Sequence, residues 1–380
     1  MTTTVPLSIL DLAPVVSGGT PAQALRETIA TARHAERLGY HRYWLAEHHF
    51  ARGVASAAPP VLIALVAAAT ERIRVGSGAV QTGHWTPVAI VEQFGTVDAL
   101  HPGRVDLGLG RSGQRRAELA ARAQRAGTAP PPPEERVVDG LLIPKPFDFS
   151  VLAGSPLLRA YGELLQQPGA ETPDFADIVD DIAGLLAGTY RTPDGLPLHA
   201  VPGEGAGVEL WILGSSGGQS AQVAGERGLP FAANYHVAPS AVLDAVNAYR
   251  EAFKPSATLD EPYVVVSADV VVADDDAAAR ELAAAYPLWV RSIRSGEGAI
   301  PFPTADEVAR HPWTDADRDL VADRVATQFT GAPGTVAERL DTLRRVTGAD
   351  ELLVTTITHD HAARLRSFEL LAAEWGLSSP

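Results

Sequence analysis

The chain has 380 residues, and its 31 Lys and Arg are outnumbered by 46 Asp and Glu, which gives a formal net charge of −15. This acidic balance argues against a general nucleic-acid binder or a protein held on an anionic membrane, because no basic surface would neutralise the phosphates. The absence of cysteine excludes disulfide scaffolds, thiolate metal centres and cysteine nucleophiles. The sequence shows neither a secretion signal nor an apolar run of membrane-spanning length, so we expect a cytoplasmic protein.

Apolar runs alternate with helical repeats along the first hundred residues. Strands are predicted at 5–10, 43–46, 73–77 and 105–109, with helices at 21–38, 60–70 and 87–100 between them. Thr20 is the predicted N-cap of the first helix, Gln23 completes a capping box with it, and Gly39 ends the helix. Alternation of this kind predicts a parallel sheet covered by helices.

The same alternation returns in the second half of the chain. Strands are predicted at 209–213, 230–233, 263–272 and 351–355, with helices at 175–185, 219–227, 240–253, 275–293, 335–346 and 361–375. Eight strands, each followed by a helix, favour an α/β protein with a closed (β/α)8 TIM barrel over an open sheet, as a single domain over residues 1–380.

Two long stretches interrupt the pattern after strands four and seven. Residues 112–174 contain a proline run at 130–133, and residues 296–330 are rich in glycine and proline, so both are predicted to be irregular insertions. In a barrel, both lie at the C-terminal mouth, where active sites are built. We therefore expect them to act as lids over that mouth.

The first candidate for chemistry is Glu47-His48-His49, at the end of the second predicted strand. Histidine can move protons near neutral pH, and barrel-strand ends are where catalytic groups lie. Neighbouring residues on a strand point to opposite faces, so His48 and His49 are not expected to bind one metal ion together. The pattern therefore predicts that one histidine is catalytic and that the other supports it through a hydrogen bond. It predicts no metal site.

Three small-residue segments could hold a ligand at the same mouth. Arg111 follows the glycines of GRVDLGLGRSG and offers a fork for a phosphate, and Ser216 lies in LGSSGGQSA, before a helix whose N-terminus suits an anion. Gly78-Ala79 would leave a flat floor for a planar ring. Without a ligand, GRVDLGLGRSG would be a tight turn, LGSSGGQSA a helix cap, and Gly78-Ala79 the start of an ordinary loop.

Five segments in this order resemble the bacterial luciferase-like flavin monooxygenases. They are GYHRYWLAEHHF, ERIRVGSGAV, EQFGTVDALHPGRVDLGLGRSG, LWILGSSGGQSAQVAGERGLPFA and GAPGTVAERLDTL. The resemblance implies a TIM barrel that binds FMN, often as a homodimer, and that uses reduced FMN and O2 through a flavin C4a-peroxide. It also implies a separate flavin reductase and a small-molecule substrate, and the subgroup it resembles most is found in aromatic-polyketide gene clusters.

The resemblance also assigns roles to individual residues. His48 matches the catalytic histidine, with Glu47 and His49 as its neighbours, and Arg111 matches the arginine that meets the FMN phosphate. The remaining cofactor-binding candidates are the phosphate loop with Ser215, Ser216, Gly217 and Ser220, a cis peptide at Gly78-Ala79 under the flavin ring, and Asn234 and Tyr235 beside it. Gly110 stands where the luciferase chain has a reactive cysteine, so bioluminescence is not implied.

Two other functions remain open on the same barrel. One is an oxidoreductase that uses the deazaflavin F420 and transfers hydride without oxygen. The other is a flavin-binding protein without turnover, against which the Glu47-His48-His49 cluster argues. A metal-dependent hydrolase is a more distant alternative.

Overall fold

The computed structural model of the chain describes residues 5–111, 133–152 and 154–378, so residues 112–132 of the predicted first insertion lie outside the described residues. The core is a closed barrel of eight parallel strands. These are β1 Leu7–Asp11, β2 Arg42–Leu45, β3 Arg74–Ser77, β5 Val105–Gly110, β8 Glu209–Gly214, β9 Phe231–Asn234, β10 Val264–Val272 and β12 Glu351–Thr355. The predicted TIM barrel is therefore confirmed.

Helices surround the barrel. They are α1 Pro21–Leu38, α2 Pro59–Ala69, α3 Pro87–Leu100, α4 Pro156–Leu164, α5 Phe175–Leu186, α6 Gln219–Glu226, α7 Val242–Ala252, α8 Asp276–Ala283, α9 Tyr286–Arg294, α10 Ala305–Arg310, α11 Asp315–Thr327, α12 Pro333–Thr347 and α13 His361–Trp375. The described residues also form four short strands, β4 Val80–Gln81, β6 Arg136–Val138, β7 Leu141–Ile143 and β11 Phe329–Gly331, and two 3-10 helices, Phe149–Leu152 and Pro239–Ala241. Among these residues, no helix is both long and apolar enough to cross a membrane.

The start of α1 agrees with only half of its predicted capping box. The Thr20 hydroxyl accepts the backbone N–H of Gln23, and Gly39 ends the helix with a φ of 85°, as the sequence predicts. The Gln23 side chain, however, donates to Glu27 one turn further on at 2.8 Å. The capping box was wrong because an acidic partner at i+4 competes for the glutamine amide.

Three elements differ from the sequence prediction. The predicted helix 275–293 is two helices, because the ring of Pro287 clashes with the carbonyl of Ala283 and ends α8 there. Residues 296–330 are not irregular: Thr304 and Thr314 begin α10 and α11 with complete capping boxes. The first insertion holds a β6–β7 hairpin whose turn, Asp139-Gly140, has positive φ at both residues, a signal that was readable in the sequence.

The two insertions meet over the barrel mouth. The Ser155 hydroxyl donates to the carbonyl of Gly296 at 3.0 Å, and the guanidinium of Arg294 lies 4.1 Å from the ring centre of Phe147. The Tyr161 hydroxyl donates to the backbone carbonyl of His49. The described parts of both insertions are thereby fixed to each other and to the loop after β2.

Buried charges tie the strands together at the opposite end of the barrel. Arg42 donates to Asp106 at 2.8 Å, to Glu209 at 2.9 Å and to Glu351 at 3.2 Å. The side chains of Asp106 and Glu351 are fully buried. Arg42 is therefore the shared counter-charge for carboxylates from three other strands.

Replacing Arg42 by methionine should lower the free energy of unfolding by about 3–5 kcal/mol, because buried Glu351 loses its ion-pair partner, while Asp106 keeps Arg74. Urea unfolding followed by circular dichroism measures the change. Arg366→Met is the control, since Arg366 pairs with Asp274 and Glu369 on the surface and should cost less than about 1 kcal/mol. Equal costs for the two variants would contradict the role of Arg42.

Candidate active site

Two adjoining cavities open at the C-terminal mouth of the barrel. The inner cavity, of about 260 Å³, lies over the strand ends and includes His48, Gly78 and Asn234 in its lining. The outer cavity, of about 190 Å³, lies beside the start of α6 and includes Ser216 in its lining. Arg111, Leu213 and Val237 line both, so the two cavities adjoin at Arg111.

The outer cavity brings together the predicted phosphate-binding residues. Ser215, Ser216 and Ser220 line it, and Arg111 reaches it from the end of β5. The Arg111 side chain donates through Nε to the Ser220 hydroxyl at 3.2 Å and through Nη1 to Gln219 Oε1 at 3.2 Å. A fixed guanidinium, hydroxyl groups and the N-terminus of a helix are the chemistry that binds an anion.

Gly217 lies in the predicted phosphate loop, between the end of β8 and the start of α6. It is not part of the cavity lining, and a Cβ at this position would lie 3.0 Å from the carbonyl oxygen of Asp244 in α7. The neighbouring Gly218 is the N-cap residue of α6. A Cβ on Gly218 would lie 3.3 Å from the Ser216 hydroxyl and 3.6 Å from Arg111 Nη2. These glycines let the loop pass close to α7 and to the arginine.

Small residues form one wall of the inner cavity. The peptide bond between Gly78 and Ala79 is cis, as the family resemblance predicts. A Cβ on Gly78 would lie 2.7 Å from Leu10 Cδ1, and a Cβ on Gly110 would lie 3.2 Å from that of Ala79. Side chains at these positions would therefore crowd the wall, and glycine keeps the surface open to a flat ligand.

His48 faces this wall region from the end of β2. Its side chain is open to solvent within the inner cavity, and its backbone N–H donates to the carbonyl of Ser56 at 2.9 Å. The protein atoms packed around the mouth partly desolvate His48 and lower its pKa below the ordinary value of 6.5. At neutral pH its imidazole is therefore uncharged and has a lone pair available.

Glu47, which also lines the inner cavity, forms a buried network with His49 at the edge of that cavity. One carboxylate oxygen of Glu47 accepts from His49 Nε2 at 2.8 Å and from the Trp85 indole at 2.9 Å, and the other accepts the backbone N–H of Gln81 at 2.7 Å. Burial would raise the pKa of Glu47, but these hydrogen bonds outweigh it and lower the pKa to about 2. His84, which the sequence analysis missed, places Nδ1 at 3.6 Å from the same carboxylate.

Asn234 and Tyr235 are separated by the alternation of β9. Asn234 lines the inner cavity, and its side-chain oxygen is buried without a hydrogen-bond partner. Tyr235 packs outside the barrel strands against Phe329 and donates its hydroxyl to the carbonyl of Leu142 at 2.7 Å. The structure therefore does not bring the Tyr235 side chain into the site, because adjacent strand residues point to opposite faces.

His236 is the main residue that the sequence analysis missed. It lines the inner cavity with His48, and its Nδ1 lies 2.6 Å from the Ser267 hydroxyl. Desolvation lowers the pKa of His236 to about 4. A histidine just beyond the predicted strand 230–233 was the available signal, since barrel active sites use strand ends.

A second missed group joins the insertion to the barrel. Arg324, on α11, donates to Asp269 at 3.0 Å and to the Tyr286 hydroxyl at 2.8 Å, and the Tyr286 hydroxyl donates to Asp269. Arg324, Asp269 and Trp289 all line the inner cavity. No local sequence pattern predicts this group, because its members come from separate elements.

The chain is similar in sequence and in structure to known proteins. The sequence model of the luciferase-like monooxygenase family matches residues 5–137 and 151–351. A luciferase-like monooxygenase of Escherichia coli (strain K12) is 35% identical over 370 residues, which cover 97% of this chain and 96% of that protein. The crystal structure of apo-MsnO8 has a TM-score of 0.77 at 32% identity and covers 98% of both chains. The oxygenating constituent of 3,6-diketocamphane monooxygenase from Pseudomonas putida, a type II Baeyer–Villiger monooxygenase in complex with FMN, shares the fold with a TM-score of 0.64 at 20% identity, covering 97% of each chain.

These matches define the class of protein, a monooxygenase built on a TIM barrel. The chain belongs to the luciferase-like monooxygenase family. The resemblance seen in the sequence is thereby confirmed, and so is the expected enzyme class, a flavin-dependent monooxygenase.

The low pKa of His236 predicts a dependence of stability on pH. The unfolded chain binds a proton at this residue below its ordinary pKa of 6.5, whereas the folded chain keeps it neutral down to about 4. Stability should therefore fall as the pH decreases through this interval, and His236→Gln should make the fall shallower. Urea unfolding at several pH values measures both slopes, and equal slopes would show that His236 titrates normally in the folded protein.

Proposed function

We propose that the chain is an FMN-dependent monooxygenase that uses reduced FMN and O2 to oxygenate a small organic substrate, for which an aromatic polyketide is our candidate. The observation that supports this most is that the two cavities adjoin at Arg111, which lines both. The outer cavity, which suits an anion, adjoins the inner cavity, called the chamber below, whose wall of small residues suits a flat group. Together they match a ligand that has both a phosphate tail and a planar ring. The histidines His48 and His236 lie in the chamber and not in the anion site.

The residues present fit FMN. Arg111, Ser215, Ser216 and Ser220 would hold the phosphate, with the N-terminus of α6 adding its positive end. The ring would lie against Gly78, Ala79 and Gly110, where added side chains have no room. The unpartnered oxygen of Asn234 offers an acceptor to a ring N–H. When bound, reduced FMN supplies the electrons and the O2 chemistry that the side chains lack.

The chain's own residues would bind, shield and manage protons. His48, uncharged at neutral pH, would take up or release a proton at its imidazole nitrogen beside the reacting centre. Glu47 and His49 would act through the backbone, because their mutual hydrogen bond fixes the end of β2 next to His48. The role of Glu47 and His49 is thus positioning, and His48 is the proposed catalytic residue.

The insertions would exclude water from this chamber. We propose residues 112–174 and 296–330 as lids of a single domain, on the evidence of their described parts. Ser155 bonds to Gly296 across the mouth, and Gln166 donates to the carbonyl of Gly83 at 2.9 Å. Exclusion of water would protect a reactive cofactor state from wasteful decay.

We also propose a homodimer formed through α2 and α3, supplied with reduced FMN by a separate flavin reductase. Val61 and Leu65 on α2 and Val88 on α3 are exposed by 64%, 52% and 40%, and an apolar groove lies between the two helices. A second copy would bury this face.

The double variant Val61→Glu, Leu65→Glu should be a monomer by light scattering, because two charges would be buried in the interface. The control Leu164→Glu changes another exposed leucine and should leave the mass of the dimer unchanged. A double variant that keeps the mass of the dimer would contradict this interface.

Arg111→Ala should weaken FMN binding by about 1.5–3 kcal/mol, because a charge-assisted hydrogen bond to phosphate is lost. Quenching of flavin fluorescence measures the dissociation constant. Arg310→Ala is the control, since Arg310 lies on the surface beside Asp306. An unchanged constant in Arg111→Ala would refute the assignment of the outer cavity.

His48→Ala should retain FMN binding but release hydrogen peroxide in place of oxygenated product, because proton delivery in the chamber is lost. The assay mixes chemically reduced FMN, O2 and candidate aromatic polyketides, and follows product by mass spectrometry and peroxide by a coupled assay. Normal yield of product in this variant would refute the role of His48. Turnover with F420 in the absence of oxygen would instead support the hydride-transferring alternative.

A further inference from the structure

We infer that Glu47, His49 and His84 form a binding site for one divalent transition-metal ion, with zinc as the expected metal. The inference rests on the arrangement of these three side chains and is independent of the proposed flavin chemistry. In the sequence alone, only the neighbours His48 and His49 suggest a pair of metal ligands, and their alternation along the strand predicts no metal site.

The three potential ligand atoms converge. Glu47 Oε1 lies 2.8 Å from His49 Nε2 and 3.6 Å from His84 Nδ1. One ligand atom from each of the three residues falls within 4.8 Å of the others. Zinc bonds to nitrogen and oxygen at about 2.0–2.2 Å, so tetrahedral ligands lie roughly 3.4 Å apart. Small side-chain rotations would therefore complete the geometry.

His84 gives the second, separate observation. Its side chain is only 3% exposed, and neither ring nitrogen has a hydrogen-bond partner. Its ring stands at 80° to that of His49, with the centres 5.2 Å apart. Buried polar atoms without partners are costly, and a metal bond would satisfy the nitrogen that points at Glu47.

The charge of the cluster points the same way. The Glu47 side chain is fully buried, and among the described residues its ion-pair partners are the two histidines, with no Lys or Arg. Its other hydrogen bonds come from the neutral Trp85 indole and the Gln81 backbone. Buried carboxylates are paired with a cation or coordinate a metal, and a divalent ion would supply the missing positive charge.

The donor set selects the kind of metal. Two imidazoles and one carboxylate suit zinc and other first-row divalent ions, whereas Mg²⁺ and Ca²⁺ prefer oxygen ligands. On binding, the proton at His49 Nε2 would move to its other ring nitrogen or to solvent, leaving a lone pair for the metal. Gln81 and Trp85 would continue to orient the carboxylate.

An ion at this place would join two segments of the mouth. Glu47 and His49 follow β2, and His84 lies between β4 and α3. His48 stands between the two ligands from β2 but faces the inner cavity. The ion would therefore hold the backbone on both sides of His48, at the edge of the inner cavity that Glu47 also lines.

Metal content and spectroscopy test the inference. The purified full-length chain, without an affinity tag, is stripped with EDTA, dialysed against zinc chloride and analysed by mass spectrometry for bound metal. We expect one zinc ion per chain. Replacement of zinc by Co²⁺ should give the visible absorption of a four-coordinate site with nitrogen ligands, and X-ray absorption on the wild-type chain should show two imidazoles.

Matched variants separate this site from surface binding. His84→Gln should weaken zinc binding at least tenfold, whereas His199→Gln should not, since His199 and Glu204 form an exposed pair with a similar separation of 2.7 Å. Absence of stoichiometric zinc, or equal binding by His84→Gln and wild type, would overturn the inference. If His84→Gln does not fold by circular dichroism, the X-ray absorption of the wild type decides.

FMN binding is measured on the zinc-free protein in parallel. Loss of flavin binding there would contradict the proposed function and leave the zinc result intact. Conversely, a chain that binds FMN but retains no zinc would overturn only the metal site.

Discussion

Closure of the barrel by the pairing of β9 with β10 is the constraint on which the rest of the structure depends. Val264 pairs with Phe231 and Ser267 with Asn234, and all eight barrel strands are parallel. Closure therefore brings every C-terminal strand end into one ring at the mouth. His48, from the second strand, thus shares a cavity with residues of the sixth and seventh barrel strands. The opposite end is held by Arg42 and its three carboxylates.

At the mouth of the barrel, some polar side chains face the inner cavity and others are buried at its edge. His48 and His236 face the chamber, each with a lowered pKa, and both imidazoles are neutral at neutral pH. Glu47 is turned into the protein, where it stays ionised with His49 beside it. The neighbours Glu47 and His48 therefore differ in charge at neutral pH, because the carboxylate is ionised and the imidazole is neutral. Partial desolvation by the surrounding protein disfavours the charged form of both histidines, while hydrogen bonds favour the charged carboxylate.

The insertions add residues to a site that the barrel strands mainly build. Arg324 comes from α11 and satisfies Asp269 inside the barrel, while Tyr161 of the first insertion bonds to the backbone at His49. Because these contacts reach the chamber walls, movement of an insertion would change the polarity and the water content of the site. The same barrel can in this way serve different chemistry when its insertions change.

The sequence by itself determined the barrel, the positions of its eight strands, and the segments that hold His48, Arg111 and Ser216, because hydrophobic period, glycine placement and helix caps are local signals. It also implied the cis peptide at Gly78-Ala79 through the family resemblance. Only the tertiary structure decided that Tyr235 points out of the site, that His236 and Arg324 enter it, and that His84 joins Glu47. Those outcomes depend on strand pleat and on contacts between residues far apart in the chain, which no local pattern records.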